Sequence, residues 1–237
     1  MIIGLYIDDF SLLNKITNKL KSKEFNLKHV KKLPKDSNEI SIIISKEKLK
    51  NCLIPQIQPG ELDILELRLR CMLYNCQEVV VGIDPGGTNG LAVIGNNHVL
   101  YQNEFESIEK LAIIIKSINE EIGLKAIKIG SGSPPERNQI INSLNDYSDL
   151  IKLVSEKRSG SGSHTAAATR IALRKELTEN PKTYRPKDGE IAWVQQESRR
   201  LSKGLVTIDK QLAHQILVGE ITMKKAIKTY TNKIKTH

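Results

Sequence analysis

Cysteine is scarce in this 237-residue sequence, and an apolar run of membrane-spanning length is absent. The three cysteines, Cys52, Cys71 and Cys76, are odd in number and lack metal-ligand spacing, which argues against a disulfide framework and against zinc. No apolar run reaches the roughly 18 residues of a membrane span. The N-terminus also turns acidic at Asp8 and Asp9, where a signal peptide would stay apolar. We therefore predict a cytoplasmic protein with free thiols and no membrane partner.

Aromatic residues are also few, at 4% of the chain with a single Trp. Proteins that hold single-stranded nucleic acid without sequence preference commonly stack successive bases on aromatic side chains. The composition therefore argues against single-strand binding by base stacking.

Charge, by contrast, is abundant and unevenly distributed, with a net value of +9. Lys and Arg outnumber Asp and Glu by 11 to 6 over residues 1–50, by 7 to 3 over 151–183 and by 11 to 5 over 184–237. Residues 51–150 hold 7 basic against 13 acidic residues. An acidic middle between basic flanks suits a protein that contacts a polyanion with its ends and keeps a carboxylate site central. The alternative is an ordinary solvated, lysine-rich surface.

The segment 78–95, EVVVGIDPGGTNGLAVIG, is the most informative stretch. Two β-branched runs, Val79–Ile83 and Leu91–Ile94, flank a turn rich in Gly, Pro and Asn, which predicts a β-hairpin. Asp84 follows the first run, and a carboxylate at the end of a buried strand is costly unless a cation compensates it. The alternative is that Asp84 only caps its own turn.

Glycines in two loops remove side-chain bulk, so that a phosphate or a metal ion could approach the backbone. The residues predicted for this role are Gly86, Gly87 and Thr88 in the hairpin turn, and Gly130 and Gly132 in a later loop.

The remaining pattern alternates strands and helices and predicts an α/β protein. The predicted divisions are a small basic α/β domain over 1–58, a connecting helix over 59–77, a second α/β domain over 78–189 and a basic helical extension over 190–237. In the second domain the hairpin is followed by a third strand, a helix, a buried strand, another helix and a last strand.

Four stretches resemble the ribonuclease H-like fold, in the RuvC/YqgF branch of Holliday-junction resolvase relatives. GIDPGGTNGLAVI resembles the family's first-strand hairpin, and IKIGSGSPPERNQ resembles a loop of the YqgF-like domain in Tex-type transcription accessory proteins. LVSEKRSGSGSHTAAATRIALRKEL resembles that domain's strand-end Glu and following helix, and IAWVQQESRRLS resembles the next helix less closely. The resemblance spans residues 78–203 and implies a mixed sheet with flanking helices.

The resemblance also implies a divalent-metal site for Mg²⁺ or Mn²⁺, with Asp84, Glu156 and His164 as the catalytic and metal-binding residues. Phosphodiester hydrolysis by two metal ions needs several carboxylates, or carboxylates with a His, at the ends of neighbouring strands. Asp84 and Glu156 both follow apolar strands, and His164 matches the first position of the helix after Glu156.

Two departures from the family pattern make this ligand set thin. Ala167 stands where the family has an Asp one turn into the helix, and Gly130 stands near the position of a strand-end carboxylate, with Glu136 displaced into the loop. Two functions therefore stay open, a metal-dependent endonuclease acting on structured or branched nucleic acid, and a catalytically inactive nucleic-acid-binding module. A sugar-kinase or actin-type phosphate loop is a third interpretation, which the short chain and the lack of a second such loop disfavour.

Structured DNA or RNA is the expected partner, and a homodimer stays open. Basic residues would contact the phosphates, although solvated helices are the alternative. The residues predicted for this contact are Lys157, Arg158, Arg170, Arg199, Arg200, Lys224, Lys225 and Lys228.

Overall fold

The computed structural model places two compact units along the chain, Met1–Cys76 and Gln77–His237. The residues that the structure describes are 2–21, 24–32, 39–155, 162–175 and 186–235. None of the helices in these ranges combines the length and the hydropathy that a membrane span requires.

A four-stranded parallel sheet forms the first unit. Its elements are Ile2–Tyr6 (β1), Phe10–Leu20 (α1), Asn26–His29 (β2), Ile42–Ser45 (β3), Gln56–Ile57 (β4), a 3₁₀ turn Leu62–Ile64 and Leu65–Leu73 (α2). The strand order is β2-β1-β3-β4 and every pair is parallel. The two central strands are short apolar runs, and β3 is buried along its whole length, as in sheets covered on both faces.

The helix that was predicted to connect two domains packs inside the first unit. Leu65 and Leu69 of α2 are fully buried in one core with Ile3 and Ile44. The boundary between the units accordingly lies after Cys76, later than the predicted position at residue 58. The amphipathic pattern predicted the helix, but the pattern did not specify which core its apolar face joins.

The second unit contains a five-stranded mixed sheet with flanking helices. Its elements are Val79–Asp84 (β5), Asn89–Gly95 (β6), His98–Phe105 (β7), Ile108–Glu121 (α3), Leu124–Gly130 (β8), Pro134–Ser143 (α4), a 3₁₀ turn Asn145–Tyr147, Ile151–Val154 (β9), His164–Leu173 (α5), Asp188–Leu201 (α6), Lys210–Leu217 (α7) and Met223–Lys235 (α8). The strand order is β7-β6-β5-β8-β9. Strands β5, β6 and β7 form an antiparallel meander, whereas β8 and β9 run parallel to β5. The predicted α/β class is confirmed.

The hairpin occupies the centre of this sheet. All seven residues of β6 are buried, and β5 lies between β6 and β8. The predicted amphipathic helix is α3, which begins after Ser107, whose side chain accepts a hydrogen bond from the Lys110 amide at 3.2 Å. Asp84 thus ends the middle strand of the sheet, beside the carboxyl end of the parallel strand β8.

The predicted helical extension is a three-helix bundle formed by α6, α7 and α8. Its apolar core includes Val194, Ala213, Ile216 and Ala226, all fully buried. Asp209 caps α7 by accepting a hydrogen bond from the Leu212 amide at 2.8 Å.

Candidate functional site

Asp84 and His164 lie in direct contact, although 80 residues separate them in the chain. The carboxylate oxygen Oδ2 of Asp84 is 3.0 Å from Nδ1 of His164. The Asp84 side chain is 15% exposed and the His164 side chain 48% exposed. The pair therefore lies at the protein surface, at the carboxyl end of the middle strand β5. The imidazole is half exposed to solvent, and the carboxylate is largely enclosed.

Close packing of α5 on the sheet produces this contact. A β-carbon added at Gly82 would collide with the carbonyl oxygen of Ala168 and lie 2.7 Å from the β-carbon of Ala172. A β-carbon added at Gly90 would collide with the carbonyl oxygen of His164. The helix backbone thus rests directly on β5 and β6, because neither glycine presents a side chain.

The hairpin turn beside this pair is held by a buried asparagine. Asn89 Oδ1 accepts a hydrogen bond from the Gly86 amide at 3.3 Å, and Asn89 Nδ2 donates to the Phe105 carbonyl at 3.2 Å. A β-carbon at Gly86 would lie 3.8 Å from Cε1 of His164, whereas Gly87 has no atom within 4 Å of the same position. The turn therefore leaves its backbone open at Gly87. Asn89 is the residue whose side chain caps the turn, whereas the Asp84 side chain pairs with His164.

Polar contacts fix both ends of α5. Gln102 on β7 donates to the Thr169 hydroxyl at 2.8 Å and to the Thr165 carbonyl at 3.4 Å. Arg174, which follows the helix, donates through Nη1 to the Ser155 carbonyl at 2.6 Å. These bonds hold the helix that carries His164 against β7 on one side of the sheet and against the end of β9 on the other.

A buried ion pair lies at the end of β8, where the family pattern has a carboxylate. Arg137 on α4 donates to the Ser131 carbonyl at 3.0 Å and to Glu190 on α6 at 2.8 Å. Both side chains of the pair are largely buried. Sequence reasoning missed this contact because Glu190 lies 53 residues away and nothing local marks it as the partner. It joins the helical bundle to the loop Gly130–Ser133.

Glu136 is a half-buried carboxyl on the same helix. Burial raises its pKa above the ordinary value, and the nearby Glu197 carboxylate acts in the same direction. Glu136 is the carboxyl group nearest in sequence to Gly130, which stands near the position where the resembling family has a strand-end carboxylate. Its partly buried surroundings disfavour the ionised form.

The metal ligands predicted from sequence are placed in part. Asp84 and His164 come together, whereas Glu156, Lys157 and Arg158 lie outside the described residues. Two ligands at right angles on an octahedral ion with bonds of about 2.1 Å lie about 3.0 Å apart, which is the separation of Asp84 Oδ2 and His164 Nδ1. The separation alone is compatible with two neighbouring positions on one divalent ion, and it is also the length of a direct hydrogen bond between the two groups. Within the described ranges, no three His, Cys, Asp or Glu side chains converge on a common point.

The remaining basic residues are placed as follows. Arg199, Arg200, Lys224, Lys225 and Lys228 are exposed on α6 and α8, and Arg170 is half-buried beside Gly162. Arg200 donates to Glu197 at 2.8 Å through Nε, which holds its pKa above the ordinary value. These exposed bundle residues are cationic, and Arg200 is partly neutralised by its acidic neighbour Glu197.

The first unit has a separate cavity of about 460 Å³. It opens at the carboxyl ends of β1 and β3 and is lined by Asp8, Asp9, Lys46 and Glu47 among others. Asp9 also caps α1 by accepting hydrogen bonds from two backbone amides, as expected of an Asp placed between a strand and a helix. Crevices at this edge of a parallel sheet are frequent ligand sites.

Comparison with known protein families matches residues 187–232 to a three-helical bundle domain. The match coincides with the bundle of α6, α7 and α8 and covers less than half of the chain. No curated protein matches the sequence. The chain is thus similar to a three-helical bundle domain in its C-terminal region.

Proposed function

We propose that this protein is a divalent-metal-dependent endonuclease of the RuvC-like kind, acting on structured or branched nucleic acid. The observation that carries the proposal is the 3.0 Å contact between Asp84, at the end of the middle strand, and His164, at the start of the helix that crosses the sheet. A carboxylate and an imidazole at a strand end, next to glycine-rich backbone, are groups suited to holding a metal ion beside a phosphate.

The strand arrangement supports a ribonuclease H-like fold for the second unit. An antiparallel meander of β5, β6 and β7, extended by the parallel strands β8 and β9, is the order of elements on which the resemblance rests. In that comparison Asp84 occupies the family's first metal-binding position and His164 the first position of the later helix. The uneven charge supports nucleic acid as the substrate, because basic segments flank the acidic region that contains Asp84.

Mg²⁺ or Mn²⁺ bound here would supply activation of water and stabilisation of the leaving oxygen. Asp84 would bind through its carboxylate and His164 through its imidazole, with Glu156 proposed as a further ligand. Gly82 and Gly90 hold the imidazole against the carboxylate by admitting the backbone of α5. The open backbone at Gly87 leaves room for a substrate phosphate.

Cleavage of a panel of junctions, hairpins, duplexes and single strands in Mg²⁺ or Mn²⁺ tests the proposal. We expect Asp84→Asn to reduce cleavage of the preferred substrate by at least about 100-fold, because it removes a ligand charge at the reacting phosphate. Binding of the same substrate should stay within about threefold of wild type, since the exposed lysines are unchanged.

Asp146→Asn is the matched control, because it removes the same charge from an exposed residue of the 3₁₀ turn before β9. It should leave cleavage unchanged. Cleavage that survives Asp84→Asn would place the site elsewhere.

A nucleic-acid-binding module without cleavage is the second candidate. It is favoured by the ligand set, since the described ranges bring only one carboxylate and one imidazole together and Ala167 stands where the family has an Asp. Tight binding at low salt with no cleavage in either metal would select this candidate.

A further inference from the structure

A leucine projects from the turn between α6 and α7. Leu205 is 85% exposed, whereas its chain neighbour Val206 is 5% exposed. Leu201, at the end of α6, is also exposed and lies within one turn of the same segment. The turn thus presents an apolar tip directly beside a buried anchor.

This tip is held rigidly. Every backbone amide from Lys203 to Val206 donates a hydrogen bond, to Arg200 O, Arg199 O, Ser202 O and Ser202 Oγ in turn. Lys203 and Gly204 adopt left-handed backbone conformations, with φ of 54° and 87°. A turn with its amides satisfied does not rearrange readily to bury Leu205, so the exposure belongs to the folded state.

The sequence on the amino-terminal side of the tip is cationic. Arg199, Arg200 and Lys203 lie on its amino-terminal side, where Arg200 is paired with Glu197, and no acidic residue occurs in the sequence between Ser198 and Ile208. The first acid beyond it, Asp209, accepts the hydrogen bond that caps α7. An apolar residue on a hydrogen-bonded turn, with basic residues next to it in the chain, complements a polyanion that has apolar surface between its charges. Stacked bases between two phosphate backbones have this character.

We propose that Leu205 is a wedge that inserts between neighbouring bases of a bound duplex, while Arg199 and Lys203 contact the flanking phosphates. Apolar side chains used in this way partly unstack a base step and kink the duplex. The proposal rests on the proposed function for its nucleic-acid partner and extends it by naming the recognition element. It also narrows the substrate class, because unstacking costs least where base pairing is already interrupted. The expected ligand is a bulged or branched duplex.

The test uses the full-length protein and a bulged duplex that carries 2-aminopurine beside the bulge, with an unbulged duplex for comparison. Wild type should raise 2-aminopurine fluorescence on binding and should prefer the bulged duplex. Leu205→Ala should abolish the fluorescence rise and weaken binding to the bulged duplex by about tenfold, since a leucine loses its burial. It should leave the dependence of affinity on salt unchanged, because no charge is removed.

Two matched variants separate the wedge from other causes. Lys203→Gln should lower the salt dependence by about one counterion and keep the fluorescence rise. Ile113→Ala, at an exposed aliphatic residue of α3, should change neither the salt dependence of binding nor the fluorescence rise. Thermal melting checks that each variant is folded.

A fluorescence rise and an affinity for Leu205→Ala equal to those of wild type would overturn the wedge. Failure of wild type to bind any nucleic acid at low salt would overturn the proposed function itself. Cleavage of the substrate panel by the wild-type protein tests the proposed function without the Leu205→Ala comparison, so failure of the wedge and failure of the proposed function are distinguishable.

Discussion

Glu136 illustrates how one residue can limit the stability of the region around the candidate site. Its carboxyl group is half-buried on α4, and burial raises its pKa above the ordinary value of 4.5. The folded protein therefore binds this proton more tightly than the unfolded chain does. Wild-type stability should fall as the pH rises from the ordinary value through the raised one, because the folded state then carries the cost of a buried charge.

We expect Glu136→Gln to increase the free energy of unfolding at pH 7, since glutamine keeps the shape and cannot ionise. The advantage should disappear below about pH 4, where the carboxyl group is protonated in the folded and the unfolded state. Urea denaturation at the two pH values measures the difference. Glu109→Gln is the control with the opposite sign, because a hydrogen bond from Ser107 lowers the pKa of Glu109. Stabilisation by Glu136→Gln that is equal at both pH values would contradict the prediction.

Single residues were predicted from sequence only where the chain itself carried the signal. Asp84 stood out because a charge follows an uninterrupted apolar run, and His164 stood out by its place in a motif. The partner of Arg137 could not be predicted, because Glu190 belongs to another helix that is distant in sequence. In the sequence alone, both residues have the pattern of ordinary charged surface residues.

At the scale of elements, the contact between α5 and the sheet depends on glycine. We expect Gly82→Ala to lower the free energy of unfolding by about 3 kcal/mol, because the obstacle is helix backbone that cannot turn aside. The displaced helix should also separate His164 from Asp84, with loss of metal-dependent activity. Chemical denaturation and the cleavage assay measure the two effects.

Gly189→Ala is the matched control for this prediction. Gly189 lies in α6, with no atom within 4 Å of the added β-carbon. It should be neutral or stabilising by up to about 1 kcal/mol, because alanine favours the helix. Equal losses for the two variants would show that the glycine contact is not what positions α5.

The helices and strands themselves were largely predictable from the sequence, whereas the elements against which each of them packs were not. The hairpin, β7 and α3 follow from period-two and helical spacing of apolar residues that are local in sequence. The close approach of α5 depends on Gly82 and Gly90 facing a helix that begins at His164, far along the chain. A glycine in a strand does not identify what fills the space above it.

At the scale of the whole molecule, the basic flanks should dominate binding. We expect affinity for duplex nucleic acid to fall steeply with salt. Replacing Lys224, Lys225 and Lys228 together by glutamine should reduce the slope of log K against log salt concentration by up to about 2.7, or about 0.9 for each phosphate that is no longer neutralised. Fluorescence anisotropy over a salt series provides the slope.

A second triple variant, Lys110, Lys116 and Lys125 to glutamine, removes the same charge from the acidic middle segment. It should change the slope far less, because these residues lie outside the proposed contact surface. An equal effect from both triples would mean that net charge, rather than the position of the lysines, governs binding.

The two glycine contacts also restrict how α5 can move. They meet the helix at the carbonyl oxygens of His164 and Ala168, four residues or about 6 Å apart along its axis. Contact at two points on the helix opposes rotation of the helix in the plane of the sheet. Movement of α5 away from the sheet should therefore carry the backbone of His164 away from Asp84 together with the rest of the helix.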